Sequence, residues 1–194
     1  PRSINDPITT NEVNVGGTLN ILDAAKDAGV KRVVFASSSS VYGDNPELPK
    51  REGMTPNPLS PYAVSKLTGE HYLRVFNKLY GLETIALRYF NVFGPNQDPN
   101  SQYSAVIPKF IKAMKEDRKP IIYGDGMQSR DFTFVTNVVE ANLLAATTDC
   151  ETPLTMNCAT NGQVTLNELV KEINKLMQKQ IEPIYDSIRP GDIK

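Results

Sequence analysis

A tyrosine and a lysine four residues apart are the side chains in this sequence best suited to acid–base chemistry. Tyr62 and Lys66 follow a Ser-Pro pair, a typical helix start, so they are expected on one face of the first helical turns. A phenol with a pKa near ~10 is a poor base at neutral pH. A nearby ammonium group and the helix N-terminus both lower that pKa, so the pair predicts a general base. Tyr-x-x-x-Lys also occurs by chance in many helices, as a surface tyrosine beside a lysine.

Hydroxyl groups and an amide follow two predicted strands, at the point where each strand ends. Ser37 to Ser40 come directly after the apolar run 33–36, and the segment 88–94 ends the next strand in aromatic residues and Asn91. In open parallel sheets, ligands bind at the carboxyl ends of the strands, so these groups are expected near one another. A hydroxyl such as that of Ser38 is placed to share a proton between the tyrosine and a substrate alcohol. A polar turn is the alternative interpretation of the serine cluster.

The elements that would position these groups alternate between helix and strand in residues 1–95. Apolar periodicity predicts a helix over 10–28, a buried strand over 33–36, a helix over 61–80 and a strand over 84–90. Such alternation is typical of crossover units in a parallel sheet. The sequence therefore predicts an α/β fold in this part.

The pattern changes after Gly94-Pro95, and residues 96–194 are expected to form mainly a smaller lobe packed on the sheet, with some segments returning to the sheet. The predicted elements there are a helix over 104–116, short strands at 121–123 and 132–135, a helix over 137–147, a strand over 154–157 and a final helix. Thr165 and Glu168 form a capping box at the start of that last helix, and one apolar stripe runs along it to Met177.

Composition limits the classes of function. The chain has 194 residues, 40% hydrophobic and 22% charged, and its net charge of -1 disfavours binding to nucleic acid or to a membrane surface. No apolar run reaches the ~18–20 residues of a membrane-spanning helix. Cys150 and Cys158 match neither a zinc site nor a redox motif, which favours the reducing cytoplasm. His71 is the only histidine, so a paired-histidine metal site is excluded, a Ser-His-Asp triad is disfavoured and no metal is expected.

The serine cluster after its strand, Tyr62-x-x-x-Lys66 and the run from Arg88 to Asn91 together resemble the extended short-chain dehydrogenase/reductase superfamily. Within it, the chain is similar to the NAD-dependent nucleotide-sugar epimerases of the UDP-glucose and UDP-N-acetylglucosamine 4-epimerase type. Further matches to motifs of that family stand at 14–18, 124–126, 129–132 and 189–192. The resemblance implies a Rossmann-like, doubly wound parallel sheet for 1–95 and a smaller α/β substrate lobe for 96–194.

One motif of that family is missing from this sequence. The Gly-rich turn that seats the dinucleotide pyrophosphate on a helix N-terminus has no counterpart, nor do the strands expected around it. The resemblance therefore implies an N-terminally truncated member that lacks the first strands of its sheet. Whether such a piece folds alone, binds NAD or is active by itself stays open.

The resemblance implies a role for each matching residue. Tyr62 would deprotonate the sugar 4-hydroxyl, and Lys66 would hold the phenolate and bind the nicotinamide ribose. Ser38, with Ser40 as the alternative, would bridge the tyrosine and the substrate. The residues implied for NAD binding are Asn14, Ser37, Tyr62, Lys66 and Phe90. Those implied for binding the UDP-sugar are Ser38, Ser40, Asn91, Val106, Tyr123, Arg130, Arg189 and Asp192, of which the two arginines suit a diphosphate.

The implied reaction is epimerisation at C4 of a UDP-hexose through a transient 4-keto sugar, with tightly bound NAD taking up and returning the hydride. Helices that begin near Thr10 and Pro61 are the implied contacts of a homodimer, and the cytoplasm is the implied location. The sequence does not decide which UDP-sugar is preferred or whether N-acetylated sugars are accepted.

Other activities within and outside the superfamily stay open. A nucleotide-sugar 4,6-dehydratase begins with the same oxidation but needs an acid–base pair just before the segment 41–43, where this chain has Ser39 and Ser40. A reductase or a decarboxylase of the same superfamily is a further alternative. The non-enzyme alternative is a cofactor-binding regulatory member or an inactive fragment, against which the intact Tyr62 and Lys66 count.

Overall fold

A computed structural model describes residues 2–100 and 106–187. These residues form two compact units. The first unit runs to Phe90 and resumes over Thr136–Cys158, and the second unit comprises Asn91–Val135 and the residues from Ala159 onward. The chain therefore leaves the first unit after Phe90, returns to it at Thr136 and leaves it again after Cys158.

Helices and strands alternate along most of the described chain. The helices are α1 (Arg2–Asn5), α2 (Pro7–Asn11), α3 (Gly17–Asp27), α4 (Pro61–Tyr80), α5 (Val106–Lys115), α6 (Val135–Thr147) and α7 (Leu166–Met177), with a π turn at Glu12–Gly16 and a 3-10 turn at Ser39–Tyr42. The strands are β1 (Arg32–Ser38), β2 (Glu83–Tyr89), β3 (Asn91–Phe93), β4 (Ile121–Tyr123), β5 (Ser129–Arg130), β6 (Phe132–Phe134), β7 (Leu154–Cys158), β8 (Val164–Thr165) and β9 (Ile184–Asp186).

The strands β1, β2 and β7 form a parallel sheet in that order in the first unit. In its register Ser38 pairs with Tyr89, and Tyr89 pairs with Cys158. The carboxyl ends of the three strands therefore lie at one edge of the sheet. This arrangement confirms the predicted α/β fold with a parallel sheet.

Helices cover both faces of this sheet. On one face α3 and α4 pack on β2, where Leu73 belongs to the same apolar cluster as Ala86. On the other face α6 packs through Ala145 against Ile85 and Leu87. Successive residues of β2 thus point to opposite faces, as the pleat of a strand requires. The predicted doubly wound arrangement is confirmed.

The second unit has its own core. Phe110 and Met114 of α5 pack with Ile122 of β4 and with Ile173 of α7. Its strands are short: β4 pairs parallel with β9, β3 pairs parallel with β6, and β5 pairs antiparallel with β8. The helices α5 and α7 therefore supply most of the residues of this core.

The predicted helix over 10–28 is confirmed, but the structure adds an earlier start and an internal π turn. The helical segment begins at Pro7, and the π turn at Glu12–Gly16 separates α2 from α3. A π turn widens the helix over only a few residues, so apolar positions that recur at three and four do not reveal it. Such turns are frequent at functional sites, and Asn14 lies in this one.

The predicted starts of the helices agree with the structure to different degrees. The capping box is confirmed, because Thr165 Oγ1 accepts a hydrogen bond from the Glu168 backbone nitrogen at 3.1 Å and Glu168 Oε2 accepts one from the Thr165 backbone nitrogen at 2.8 Å. The hydrogen bonds that the Glu168 carboxylate accepts from the backbone nitrogen and the hydroxyl of Thr165 hold the pKa of Glu168 below its ordinary value. The start predicted for α6 at residue 137 is two residues late, and the start predicted at Ser104 lies outside the described residues.

Candidate active site

Helix α4 begins as the Ser-Pro pair predicts. Ser60 Oγ accepts a hydrogen bond from the Ala63 backbone nitrogen at 3.2 Å, and Pro61 is the first residue of the helix. Tyr62 and Lys66 therefore occupy the first two turns and share one face. The Nζ atom of Lys66 lies 5.6 Å from the centre of the Tyr62 ring, so the two side chains approach each other.

The Lys66 ammonium group is anchored to β1. It donates a hydrogen bond of 3.0 Å to the carbonyl oxygen of Ala36, and it lies 5.2 Å from the centre of the Phe35 ring. Burial lowers the pKa of Lys66 below its ordinary value, because apolar surroundings disfavour the charged form. An anionic neighbour would offset that effect, and the Tyr62 phenol is one helical turn away.

Close packing of α4 on β1 brings Lys66 within reach of the strand. A β-carbon added to Gly69 of α4 would lie 2.4 Å from the Cζ atom of Phe35, far inside van der Waals contact. Glycine is therefore the residue that lets the helix approach the strand here. Lys66 lies one turn before Gly69, so the same close approach brings its ammonium group to the carbonyl oxygen of Ala36.

Asn14 is connected to Tyr62 through a chain of hydrogen bonds. Its Nδ2 atom donates to Ser65 Oγ at 3.0 Å, and Ser65 Oγ donates to the backbone carbonyl of Tyr62 at 2.7 Å. Ser65 is buried. The π turn and the first turns of α4 are thus held together at the residue that carries the phenol.

A cleft of about 400 Å³ lies beside β1, and we call it the β1 cleft. Its polar groups come from Asn14, Thr18 and Lys66, and its apolar walls include Ile21 and Val33. Two of the residues predicted to bind NAD, Asn14 and Lys66, therefore line one concave surface.

Ser38 and Ser40 lie at the carboxyl end of β1. Ser38 Oγ accepts a hydrogen bond from the Ser40 backbone nitrogen at 3.2 Å and so begins the 3-10 turn that follows the strand. Ser40 Oγ is buried and has no hydrogen-bond partner among the described residues. A buried hydroxyl without a partner is unusual in proteins, and a ligand atom is one way of satisfying it.

The Ser37 hydroxyl is not available to bind a ligand. The residue is 2% exposed, and its Oγ donates a hydrogen bond of 2.5 Å to Glu70 Oε1. The side chain is therefore committed to the protein interior, and only the main chain of Ser37 is left to contact a cofactor. Four consecutive serines look alike in a sequence, so this difference could not be foreseen.

Phe90 follows β2 at the same edge of the sheet. Its backbone nitrogen donates a hydrogen bond of 3.2 Å to the carbonyl oxygen of Cys158, and its ring lies 6.4 Å from that of Tyr42. The register of the sheet places Phe90 directly after Tyr89, which pairs with Ser38. Phe90 is thus next to the strand ends where Ser38 lies.

A cavity of about 510 Å³ in the second unit gathers the predicted substrate-binding residues of that unit. Asn91, Val106, Tyr123 and Arg130 all line it, and we call it the second-unit cavity. Its volume is in the range of small-molecule sites, about 300–1,000 Å³. Arg189 and Asp192 lie outside the described residues.

Hydrogen bonds orient the polar groups of this cavity. Arg130 Nη1 donates to the backbone carbonyl of Ser129 at 2.8 Å, and Asn91 Nδ2 donates to that of Asp131 at 3.1 Å. Gln128 Nε2 donates to the backbone carbonyl of Tyr123 at 2.7 Å. Two of these hydrogen bonds are local, and the bond from Asn91 joins two segments that are 40 residues apart.

Sequence reasoning missed the basic side of this cavity. The further basic residues in its lining are Lys109, Lys112, Arg118 and Lys119. None of the described residues that line it is acidic. The density of lysine and arginine in the segment 109–119 was the available signal. The cavity therefore suits an anionic ligand.

The described residues hold neither a cluster of metal ligands nor a membrane-spanning helix. Residues 2–100 and 106–187 contain no group of three or more His, Cys, Asp or Glu side chains that could hold a metal ion. No helix within them is both long enough and apolar enough to cross a membrane.

A parallel sheet with helices on both faces and a Tyr–Lys pair at its carboxyl edge define a class of protein that comparison with known families confirms. Residues 1–159 match the NAD dependent epimerase/dehydratase family, and the chain belongs to that family.

Individual relatives are similar over almost the whole chain. The sequence is 38% identical over 194 residues to the UDP-glucose 4-epimerase of Mycolicibacterium smegmatis, covering 100% of this chain and 61% of that protein. The UDP-N-acetylglucosamine 4-epimerase of Methanobrevibacter ruminantium, solved in complex with UDP-N-acetylmuramic acid, superimposes with a TM-score of 0.97 at 45% identity, covering 100% of this chain and 62% of that one. For the Thermus thermophilus UDP-glucose 4-epimerase, solved with NAD, the TM-score is 0.89 at 36% identity, covering 99% and 63%. This chain thus spans less than two thirds of each relative.

Proposed function

We propose that this protein is an NAD-dependent UDP-sugar 4-epimerase. It inverts C4 of a UDP-hexose, UDP-glucose and UDP-galactose or their N-acetyl forms, through a transient 4-keto sugar. The observation that carries the proposal is the position of Lys66, whose ammonium group lies beside the Tyr62 ring and is tied to the carbonyl oxygen of Ala36. The names of the relatives from Mycolicibacterium smegmatis and Thermus thermophilus support the same reaction.

The residues of the β1 cleft fit NAD. The ammonium of Lys66 and the amide of Asn14 are hydrogen-bond donors for ribose hydroxyls, and the apolar walls suit a nicotinamide ring. We assign the side chains of Asn14, Tyr62, Lys66 and Phe90 and the main chain of Ser37 to the cofactor. When bound, NAD supplies a reversible hydride acceptor for C4.

Tyr62 is the acid–base group in this proposal. Its phenolate takes the proton of the sugar 4-hydroxyl, and the phenol later returns a proton to the same oxygen. Lys66 keeps the phenol ionised through its positive charge, and the N-terminus of α4 adds to that effect. Ser38 at the end of β1 hydrogen-bonds the reacting hydroxyl, and the unpartnered hydroxyl of Ser40 accepts a second contact from the sugar.

The UDP group is assigned to the second-unit cavity. Arg130 forms paired hydrogen bonds to the diphosphate, and Asn91 contacts it through its amide. Tyr123 packs on the uracil, with Val106 beside it. Arg189 is assigned to the diphosphate as well, and Asp192 to a ribose hydroxyl. The first unit is then the NAD-binding part, and the second unit is mainly the nucleotide-sugar lobe.

A second copy of the chain is the proposed partner. Exposed apolar side chains stand on the helices implied for such a contact, and they include Ile8 of α2 and Val64 and Leu79 of α4, which are 71%, 49% and 64% exposed. Covering such side chains on association would be favourable. Sedimentation of the native protein tests for a homodimer.

We also propose the cytoplasm as its location, since its two cysteines match no disulfide framework.

Incubation of the native protein with UDP-galactose and NAD tests the activity. Formation of UDP-glucose without accumulation of NADH is the result expected of an epimerase. A 4-keto-6-deoxy product would instead identify a dehydratase, and NAD binding without turnover would identify a binding protein. The same assay with UDP-N-acetylgalactosamine decides whether N-acetylated sugars are accepted.

A further inference from the structure

A buried ion pair joins α4 to β2 in the first unit. Arg88 Nε donates to Glu70 Oε1 at 2.9 Å, and its Nη2 donates to Glu70 Oε2 at 2.7 Å, which makes a two-point contact. The side chains of Arg88 and Glu70 are 1% and 0% exposed. Neither residue has a part in the proton transfer or ligand binding described above.

Two further side chains complete a set that we call the Glu70 cluster: Ser37, Tyr42, Glu70 and Arg88. Ser37 Oγ donates to Glu70 Oε1 at 2.5 Å, and the guanidinium carbon of Arg88 lies 4.7 Å from the centre of the Tyr42 ring. The Tyr42 hydroxyl donates to Asn157 Oδ1 of β7 at 2.6 Å. The cluster therefore links α4 to all three strands of the sheet.

The surroundings of Arg88 keep it charged. Burial by itself would lower its pKa, but hydrogen bonds to Glu70 and Tyr42 outweigh burial and raise the pKa above its ordinary value. The guanidinium group of Arg88 thus stays charged although it is buried.

Stability alone does not explain such a cluster. The cost of taking two charges out of water can equal or exceed their attraction, and apolar replacements of a buried ion pair are often neutral or stabilising. A two-point contact between a guanidinium and a carboxylate is directional, however, and is satisfied at one register of helix against strand. The pair therefore contributes a fixed position of α4 relative to the strand.

The spacing on α4 connects the cluster with the proposed active site. Tyr62, Lys66 and Glu70 are four residues apart and share one face of the helix. Lys66 binds the carbonyl oxygen of Ala36, and Glu70 binds the hydroxyl of the next residue, Ser37. Helix α4 is thus fixed to β1 at two successive points, directly before Ser38.

We propose that the Glu70 cluster is a positioning device that sets α4 against the end of β1, so that Tyr62 and Lys66 meet the reacting hydroxyl in the geometry that proton transfer needs. The inference rests on the proposed function. Glu70 and Arg88 are positioning residues, since they act through Tyr62 and Lys66. A displacement of order 1 Å in a catalytic group can cost about 10²-fold in rate, so a modest shift of α4 would suffice.

The double variant Glu70→Leu/Arg88→Met tests this proposal in the native protein. It removes both charges together, so no buried charge is left unpaired and the protein is expected to stay folded. We expect kcat to fall about 10- to 100-fold, while KM and the affinity for UDP change less than about twofold. In a crystal structure of the variant, we expect the hydrogen bond between Lys66 and Ala36 to be lost.

A second ion pair, which joins β1 to β2, provides the control. Arg32 Nε donates to Glu83 Oε2 at 2.8 Å, and Arg32 Nη2 lies 2.7 Å from the same oxygen, at the amino ends of β1 and β2. The variant Arg32→Met/Glu83→Leu makes the same chemical change far from the strand ends at which Ser38 lies. It should leave kcat unchanged.

Three results would overturn the proposal. The first is an unchanged kcat in the folded double variant, the second is an equal loss of kcat in the control, and the third is a Lys66–Ala36 hydrogen bond that persists. If the double variant does not fold, Ser37→Ala replaces it: a loss of about 3- to 10-fold in kcat at constant KM is expected, with recovery in Ser37→Thr, and no loss is an equal refutation. If the native protein shows no epimerisation, the proposed function fails, and the crystal structure of the folded variant still decides the positioning role.

Discussion

The ammonium nitrogen of Lys66 lies 5.6 Å from the centre of the Tyr62 ring while it donates a hydrogen bond to the carbonyl oxygen of Ala36. One cation thus fixes the start of α4 to β1 and places positive charge beside the phenol. Because burial lowers the pKa of Lys66, the ammonium group gains most from an anionic neighbour. We therefore expect Tyr62 and Lys66 to act together, and we expect substitutions of the two residues to have different effects.

Tyr62→Phe should abolish most of the turnover and leave binding intact. The change removes only the oxygen that carries the proton, and general acid–base catalysis contributes about 10²- to 10⁴-fold in rate. We expect a loss of that size in kcat, with UDP affinity measured by calorimetry unchanged. Tyr80→Phe, at a 53% exposed position of the same helix, is the matched control and should keep full activity. Turnover near that of the native protein in Tyr62→Phe would refute the role.

Lys66→Met should change the pH dependence of stability. Burial lowers the pKa of Lys66 from 10.5, so on raising the pH the folded protein loses this proton before the unfolded chain does. Because the unfolded state then binds more protons, the free energy of unfolding gains a contribution that rises between the lowered pKa and 10.5. Lys66→Met removes that rise.

Chemical denaturation at several pH values from about 8 upward measures this effect in the two proteins. Lys78→Met, at an exposed position on the same helix, makes the same substitution and should keep the rise. Equal slopes of stability against pH in the native protein and in Lys66→Met would contradict the expected burial of the charge.

Arg130→Ala should weaken UDP binding. Hydrogen bonds to charged groups are worth about 1.5–3 kcal/mol, so the Kd for UDP should rise about 10- to 100-fold, with kcat at saturating substrate nearly unchanged. Titration calorimetry with UDP measures the affinity. Arg74→Ala removes the same charge from an exposed position of α4 and should not change the Kd. A pure loss of kcat at constant affinity would argue against a diphosphate contact.

Gly69→Ala should destabilise the protein although alanine is the better helix former. The new β-carbon would lie 2.4 Å from Phe35 Cζ, so the Phe35 ring or α4 must shift, and overpacking of this kind costs about 1–3 kcal/mol. Gly16→Ala is the control, because no heavy atom lies within 4 Å of its β-carbon position and helix propensity alone predicts a gain of up to about 1 kcal/mol. Urea denaturation separates the two, and a gain in stability in Gly69→Ala would show that the close approach is not required.

Features set by near neighbours in the chain could be predicted from the sequence. The cap of α4 is predicted by the adjacent pair Ser60-Pro61 and the capping box by Thr165 and Glu168, three positions apart, and the structure confirms both. The alternation of helix and strand predicted the parallel sheet for a different reason: a helical crossover brings successive strands side by side in the same direction. The π turn at Glu12–Gly16 was not predicted, because it changes the helical spacing over too short a segment to alter the apolar pattern.

Contacts between distant segments could not be predicted. β4 pairs with β9 through Ile121 and Ile184, two short segments with no signal of their own for a partner. Glu70 and Arg88 are 18 residues apart, and each alone resembles an ordinary surface charge. The basic lining of the second-unit cavity likewise depends on the fold of the segment that follows α5.

By itself, the sequence determined which groups can carry a proton and that Tyr62 and Lys66 share a helix face, because helical periodicity depends only on local geometry. Only the tertiary structure decided that Lys66 reaches the carbonyl of Ala36, 30 residues away, and that Ser37 turns inward to Glu70, 33 residues away. Those contacts depend on how closely α4 packs on β1 at Gly69, which is a property of two surfaces and not of either segment alone.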